Sequence, residues 1–291
     1  MRVRPAINSR DYIVAFELRS TDDCPPDFEL PSSLAGFDTG LFLPRGDSDW
    51  FGRPSYPPRI LLLKDSALYI LTHPSAGEPH GQCALERISS VESGHMLLKG
   101  WLRFTGPGFD YTIRYNTRGI PSVLRFMPRF RGQLSRGAQP RGTPEVHPGA
   151  ALDIKFGNAL ARELDSGETV LRQFFQPPGE VKSGSWRLPR RRWMAGDLLA
   201  LAGRRLLWIT DRERGSYSPY GSIASYAPLG AVLGIGLTSG RGGDILQVNL
   251  NSGSAWQVPM AFEGRRVAED FAAALENQKR LNETSRTEAR R

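Results

Sequence analysis

One pattern, stated twice, constrains this chain more than any other feature: two short apolar runs separated by a tight polar break. The runs are "LLLKDSALYILTH" (residues 61–73) and "LALAGRRLLWITD" (residues 199–211), broken at Asp65-Ser66 and at Gly203-Arg204. Runs this short, rich in branched and aromatic residues and divided by turn-forming positions, read as β-hairpins. A single helix through residues 197–210 is the competing reading. It would carry Gly203 at its centre and place Arg204-Arg205 on a buried face, which argues against it. Each second run closes with Thr and a polar residue, Thr72-His73 or Thr210-Asp211. A loop rich in Gly, Ser and Pro follows, then a short segment built on Ile and Ser, "LERISSVES" or "SIASYAP".

The rest of the chain extends both hairpins. "MLLKGWLRFTG" and "DYTIRYNT" add strands to the first, and "AVLGIGLTS", "DILQVNLN" and "AWQVPMA" add strands to the second. A helix follows each set. The first begins near Pro121, with Val123, Phe126, Met127 and Phe130 at core spacing, and Pro128 is expected to kink or shorten it. The last places Phe262, Val267, Phe271 and Leu275 on one face. A further helix is read at Leu152, Phe156, Leu160 and Leu164, stopped by Asp165-Ser166-Gly167, before a strand at "ETVLRQFF". Residues 132–150 have almost no large apolar side chains and read as a linker. The expected division is an N-terminal extension at 1–58, a first domain at 59–131, the linker, a second domain at 151–278 and a polar, frayed tail at 279–291. Within 1–58 only "DYIVAFELR" is read as a strand and the remainder as loop, and whether this extension completes the first domain is left open. The fold class is mainly β (a β-rich α+β arrangement), with two bent antiparallel sheets or barrels, each capped by a C-terminal helix.

Composition agrees with a soluble globular protein: 40% hydrophobic residues, 23% charged, 22 Pro and 31 Gly in 291 residues. The net charge of +8 is spread along the chain, with 18 basic against 15 acidic residues up to Ala150 and 20 against 15 after it. No segment is a polycationic arm. Two cysteines, Cys24 and Cys83, are too few for a disulfide framework. Asp11 and Glu17 interrupt any apolar leader near the start, and "YAPLGAVLGIGL" is too short to span a bilayer. The expected location is the cytoplasm, with peripheral membrane association left open.

"GDLLALAGRRLLWITDRERGSYSPYGSIASYAPL" resembles the strand, basic tight turn, strand and "I..Y.PL" framework of bacterial pleckstrin-homology-like domains. "LLLKDSALYILTH", "LERISSVESG", "LLKGWLRFTG" and "YTIRYNT" are similar to a diverged first copy in tandem. The likeness covers residues 58–131 and 152–277. Pro128 and the unmatched first 58 residues depart from it. The resemblance implies bent sheets capped by helices, used to bind lipids, peptides or other copies of the domain. It implies no cofactor and no shared chemistry.

His73, His80 and Cys83 lie close in sequence but match no zinc spacing, so no metal is assigned. There is no nucleophile elbow, and Cys83 reads as a small, half-buried residue rather than a nucleophile activated by His95. "GIGLTSGRGGD" lacks the lysine and the strand-to-helix context of a phosphate loop. No catalytic residue is assigned, and the chain is read as non-enzymatic. "SWRLPRRRW" remains, where Arg190, Arg191 and Arg192 are flanked by Trp186 and Trp193. By the resemblance this is the first hairpin loop of the second domain, where some relatives engage anionic head groups. Arg190, Arg191, Arg192 and Trp193 are the candidate ligand-binding residues. A solvated loop with its tryptophans folded onto the core is the alternative. The expected partner is a protein or a second copy of the chain, then an anionic lipid, with nucleic acid ranked below both.

Overall fold

A computed structural model describes residues 13–46, 56–73, 81–96, 99–134, 152–165, 167–183, 190–213, 216–217, 221–240, 243–260 and 264–288. The chain divides into two compact units. The first takes the chain up to Ile88 with His95–Arg103 and Asp110–Arg136; the second takes Ser89–Gly94, Phe104–Phe109 and the chain from Gly137 onward.

The first unit holds five antiparallel strands in sheet order: β1 (Phe16–Leu18), β2 (Thr39–Leu43), β3 (Arg59–Lys64), β4 (Ala67–Thr72) and β5 (Gly81–Ala84). The β3–β4 hairpin closes through Asp65 and Ser66, both at positive φ (49° and 59°), with Lys64 opposite Ala67. Positive φ at both central residues is the two-residue turn whose twist matches that of the flanking strands. Ile60, Leu62 and Leu71 pack on one face with Leu18, Phe28, Leu34, Phe37 and Phe42. Leu61, Leu63, Leu68 and Ile70 are buried as well, so the central strands carry apolar side chains on both faces.

Residues 19–46 depart from the loop expected there. β2, "TGLFL", is buried along its whole length between β1 and β3. At Gly40 a Cβ would stand 2.7 Å from Leu62 Cδ2 and 2.9 Å from Leu18 Cβ, so only glycine fits. The loops before β2 are tied down by polar contacts: the Asp23 carboxylate accepts the Arg19 and Ser20 amides, and Lys64 Nζ donates to the carbonyls of Ser33 (2.7 Å) and Ala35 (2.6 Å).

A single turn of 3-10 helix, Leu85–Arg87, leads to β6 (Ser90–Met96), β7 (Lys99–Gly106), β8 (Phe109–Asn116) and helix α1 (Ile120–Leu134). Val123, Phe126, Met127 and Phe130 of α1 are buried, at the expected spacing. The helix neither stops nor shortens at Pro128. Proline removes one backbone hydrogen bond, and the buried aromatic side chains on either side hold the turn regardless. α1 also runs to Leu134, taking in the first residues of the stretch read as linker. It is fixed to β1 by the Glu17 carboxylate, which accepts from Arg125 and Arg129 (3.0 Å), and by Ser122 Oγ donating to the Ala15 carbonyl (2.8 Å).

The second unit begins with α2 (Ile154–Glu163), capped by Asp153, which accepts the Lys155 amide at 2.8 Å. It continues through β9 (Val170–Gln176), β10 (Gly179–Ser183), β11 (Arg190–Met194), β12 (Asp197–Ala202), β13 (Arg205–Thr210), β14 (Arg212–Glu213), β15 (Ser216–Tyr217) and β16 (Gly221–Pro228). A 3-10 turn at Leu229–Ala231 then leads to β17 (Val232–Gly240), β18 (Gly243–Leu250), β19 (Ala255–Met260) and α3 (Arg265–Glu288). β12 and β13 form the expected hairpin, with Leu201 opposite Leu206. The antiparallel order is β9-β12-β13-β16, and β6, with Ser89–Gly94 in this unit, lies beside β16. β17, β18 and β19 form a separate antiparallel sheet.

α3 packs Ala268, Phe271 and Leu275 into a core with Phe174, Leu199, Leu206, Val248 and Trp256. Val267, expected on this face, is 51% exposed, and Ala268 takes the inward position instead. Phe262 lies outside the described residues. Gln278 is buried, and the helix continues to Glu288 where a frayed tail was expected.

The positive φ at Ser66 has a measurable cost. Ser66→Gly should stabilise the protein by on the order of 0.5 to 1 kcal/mol, the left-handed strain relieved less the added chain entropy of glycine. Thermal unfolding checks this; an unchanged or lower midpoint contradicts it.

Candidate functional site

Arg190, Arg191, Arg192 and Trp193 lie in a strand rather than in a loop. β11 pairs antiparallel with β10: Ser183 faces Arg190, Lys182 faces Arg191, Val181 faces Arg192 and Glu180 faces Trp193. Four basic positions, 182 and 190–192, therefore share one two-stranded ribbon. Successive positions of a strand alternate between its two sides, so the three arginines do not stand in one row. Trp186 lies outside the described residues. Beyond the ribbon Ala195 is buried, and the chain enters β12 through Gly196.

The His73, His80 and Cys83 group resolves into separate surroundings, as far as it is described; His80 and His147 lie outside the described residues. His73 Nε2 is 3.3 Å from Asp27 Oδ2, and its ring centroid is 5.5 Å from that of Phe28. Cys83 sits in β5 opposite Leu68, buried, with its thiol pushed up to about 11 by burial. Cys24 is pushed up to about 12 by burial and then by Asp23 and Asp22. Both thiols are therefore protonated at neutral pH and poor nucleophiles. Among the described residues no group of three His, Cys, Asp or Glu could hold a metal ion.

Two buried polar clusters of the second unit were not singled out from the sequence. The first surrounds Gly196. Asp211, 2% exposed, accepts the Gly196 amide at 2.7 Å and Lys155 Nζ at 3.4 Å, while its own amide donates to the Gly196 carbonyl at 3.3 Å. Thr210 Oγ1 donates to the same carbonyl (3.2 Å), and Trp208 Nε1 donates to Asp197 Oδ1 (2.9 Å). A Cβ on residue 196 would stand 2.5 Å from Phe156 Cζ, so glycine is required where α2 seats its aromatic ring. Burial raises the Asp211 pKa, against Lys155 and the Gly196 amide, which lower it. The sequence does mark this place, since Thr210-Asp211 answers Thr72-His73; what it does not show is Lys155 arriving from α2.

The second cluster centres on Arg205, 2% exposed. Its Nε donates to Glu168 Oε1 (3.0 Å) and its Nη2 to Glu168 Oε2 and to the Glu163 carbonyl (3.1 Å), and Asp165 Oδ2 forms an ion pair with it at 3.2 Å. The guanidinium lies 5.8 Å from the Tyr226 ring centroid. Arg205 is thus buried in a strand, where the sequence argument held only that a helix would bury it. Three acceptors supplied by the α2–β9 connection make that burial tolerable. Both clusters join α2 to the sheet by polar contacts.

No helix among the described residues is long and apolar enough to cross a membrane. No family model matches the chain, and no curated protein matches it.

The raised Asp211 pKa fixes the sign of a pH effect. Between the ordinary carboxylate value and the raised folded value, the native state holds the proton more tightly than the unfolded chain. This contribution to stability is complete below the ordinary value and is lost as pH rises through the folded one. Denaturant unfolding of the wild type and Asp211→Asn across that window should give a stability difference that changes with pH in this sense. A difference that stays flat contradicts it.

Proposed function

We propose that the chain is a non-enzymatic binding and scaffolding protein of two pleckstrin-homology-like units in tandem, acting in the cytoplasm on a protein partner or a second copy of itself. The tandem reading is supported by backbone hydrogen bonds that recur at matching places. The Leu85 amide donates to the Ser66 carbonyl (2.8 Å) and the Leu229 amide to the Arg204 carbonyl (3.1 Å). The His73 amide donates to the Pro58 carbonyl (3.1 Å) and the Asp211 amide to the Gly196 carbonyl (3.3 Å). In each half a 3-10 turn downstream of the hairpin, Leu85–Arg87 or Leu229–Ala231, is followed by three strands and a helix; in the first a further 3-10 turn, Thr117–Gly119, precedes α1.

The observation that carries the binding reading is β17. It is a nine-residue strand at one end of its sheet, where an added strand could pair beyond the Leu233 carbonyl, which accepts from Lys279 Nζ at 2.9 Å. A register shift at Val232/Gly234 bulges Leu233 outward, 65% exposed, and a Cβ on Gly234 or Gly236 would meet nothing within 4 Å. Light scattering over a range of concentrations tests the self-association arm: the mass should rise above that of one chain, and Leu233→Lys should restore the monomer. A monomer at every concentration, with no partner retained in pull-down, counts against the reading.

A second reading is supported by the β10–β11 ribbon. The ribbon carries Lys182, Arg190, Arg191, Arg192 and Trp193 in its two strands, a composition suited to an anionic membrane surface. Each Arg would contribute about 1 kcal/mol near such a surface. Replacing Arg190, Arg191 and Arg192 with Ala should abolish co-sedimentation with anionic vesicles; unchanged co-sedimentation sinks this reading.

A further inference from the structure

Arg59 opens β3 and lies opposite Thr72, the last residue of β4. Directly opposed residues of an antiparallel pair share a face of the sheet. Arg59 Nε and Thr72 Oγ1 are both shut away from solvent, and neither has a hydrogen-bond partner among the described residues. Arg59 Nη1 reaches the Thr112 carbonyl on β8 at 3.4 Å. Arg114, two positions further along β8, is exposed on the same side of that strand as Thr112. No carboxylate of the described residues pairs with either guanidinium. Burial, and after it the like charge of Arg114, lowers the Arg59 pKa, while Tyr56 acts in the opposite sense.

The matching pair of the second unit is Asp197 opposite Thr210, and its polar groups are answered from within the chain. Asp197 takes the Trp208 indole N–H, and Thr210 Oγ1 donates to the Gly196 carbonyl. At the same backbone place the first unit therefore carries two donors and a second cation in place of a carboxylate.

We infer that Arg59, Thr72 and Arg114 form a binding site for a phosphate group in the first unit. The guanidinium presents a planar fork of donors to a tetrahedral oxyanion, and the Thr72 hydroxyl adds another. A phosphate monoester brings nearly two negative charges, which balances two arginines as a single carboxylate does not. The group can be free or part of a lipid head group. The site is independent of the β17 edge and of the β10–β11 ribbon.

Isothermal titration of the full chain with inorganic phosphate at low ionic strength tests the inference. One saturable site per chain is expected, weakened about tenfold or more by Arg59→Lys and by Arg114→Ala, and unchanged when Arg190, Arg191 and Arg192 are replaced by Ala. Lys keeps the charge at position 59 but loses the fork and the Nε donor. Arg114 is exposed, so its variant keeps the fold, and circular dichroism verifies that for both. No saturable binding, or binding equal to wild type in both variants, overturns the inference. A second arm uses vesicles of phosphatidylcholine with and without phosphatidic acid. Retention only on phosphatidic acid, competed by phosphate, assigns the group to a lipid; phosphate binding without retention assigns it to a soluble ligand.

Discussion

The structure depends on the amide that starts each 3-10 turn. After its hairpin the chain must leave one set of strands and enter the next, and it does so at Leu85–Arg87 and at Leu229–Ala231. In both places the first amide of the turn is bonded to a carbonyl at the hairpin tip, Ser66 or Arg204, and the leucine bearing it is buried. A buried backbone group without a partner is costly, so this bond fixes where the chain can reverse. It also frees the nearby side chains. His73 and Asp211 end equivalent strands, and their amides make equivalent bonds to Pro58 and Gly196, although the side chains share no chemistry.

Charge placement adds specificity to that backbone frame. Glu17, Arg205 and Asp211 are buried or nearly so, and each holds a helix to strands: α1 through Arg125 and Arg129, α2 through Lys155 and Glu163, with Glu168 of the connection to β9. Buried ion pairs are weak contributors to net stability because desolvation offsets their attraction. Their effect is to penalise alternatives. A helix docked one turn away would strand a charge in an apolar interior, at a cost of several kcal/mol. The neighbouring apolar contacts, such as Phe156 against Phe175 at 5.1 Å, are less exacting about register.

Much of this was legible in the sequence where local chemistry and tertiary packing agree. The β3–β4 and β12–β13 hairpins announce themselves because their apolar runs are short and their turns polar. β2 did not, because "TGLFL" is only five residues long, buried on both faces and flanked by loops, so no alternation marks it. Pro128 did not shorten α1, because burial of Phe126, Met127 and Phe130 outweighs the local preference to end the helix there. Val267 and Ala268 are one position apart, and periodicity alone favoured the larger side chain. Site residues were less legible still. A run such as Arg190–Arg192 stands out by eye, but pairing with β10 distributes its positions over both sides of a ribbon. Arg59 does not stand out at all. A lone arginine before "ILLL" acquires meaning only when Thr72 comes opposite and Arg114 arrives from β8.

That contrast bears on how two hairpins that make matching backbone hydrogen bonds can differ at corresponding positions. In the second unit the positions at the end of the hairpin are closed by its own residues: Phe156 occupies the space a side chain at Gly196 would need, Lys155 neutralises Asp211, and Trp208 satisfies Asp197. Interactions so completed make that end of the sheet part of the scaffold. In the first unit the corresponding strand ends hold buried donors without acceptors among the described residues, which costs stability. The first unit can tolerate that cost because its fold is secured elsewhere, by its own core and its 3-10 turn. Unsatisfied buried polar atoms at corresponding positions, rather than conspicuous charge runs, are therefore the more informative place to look for what distinguishes one unit from the other.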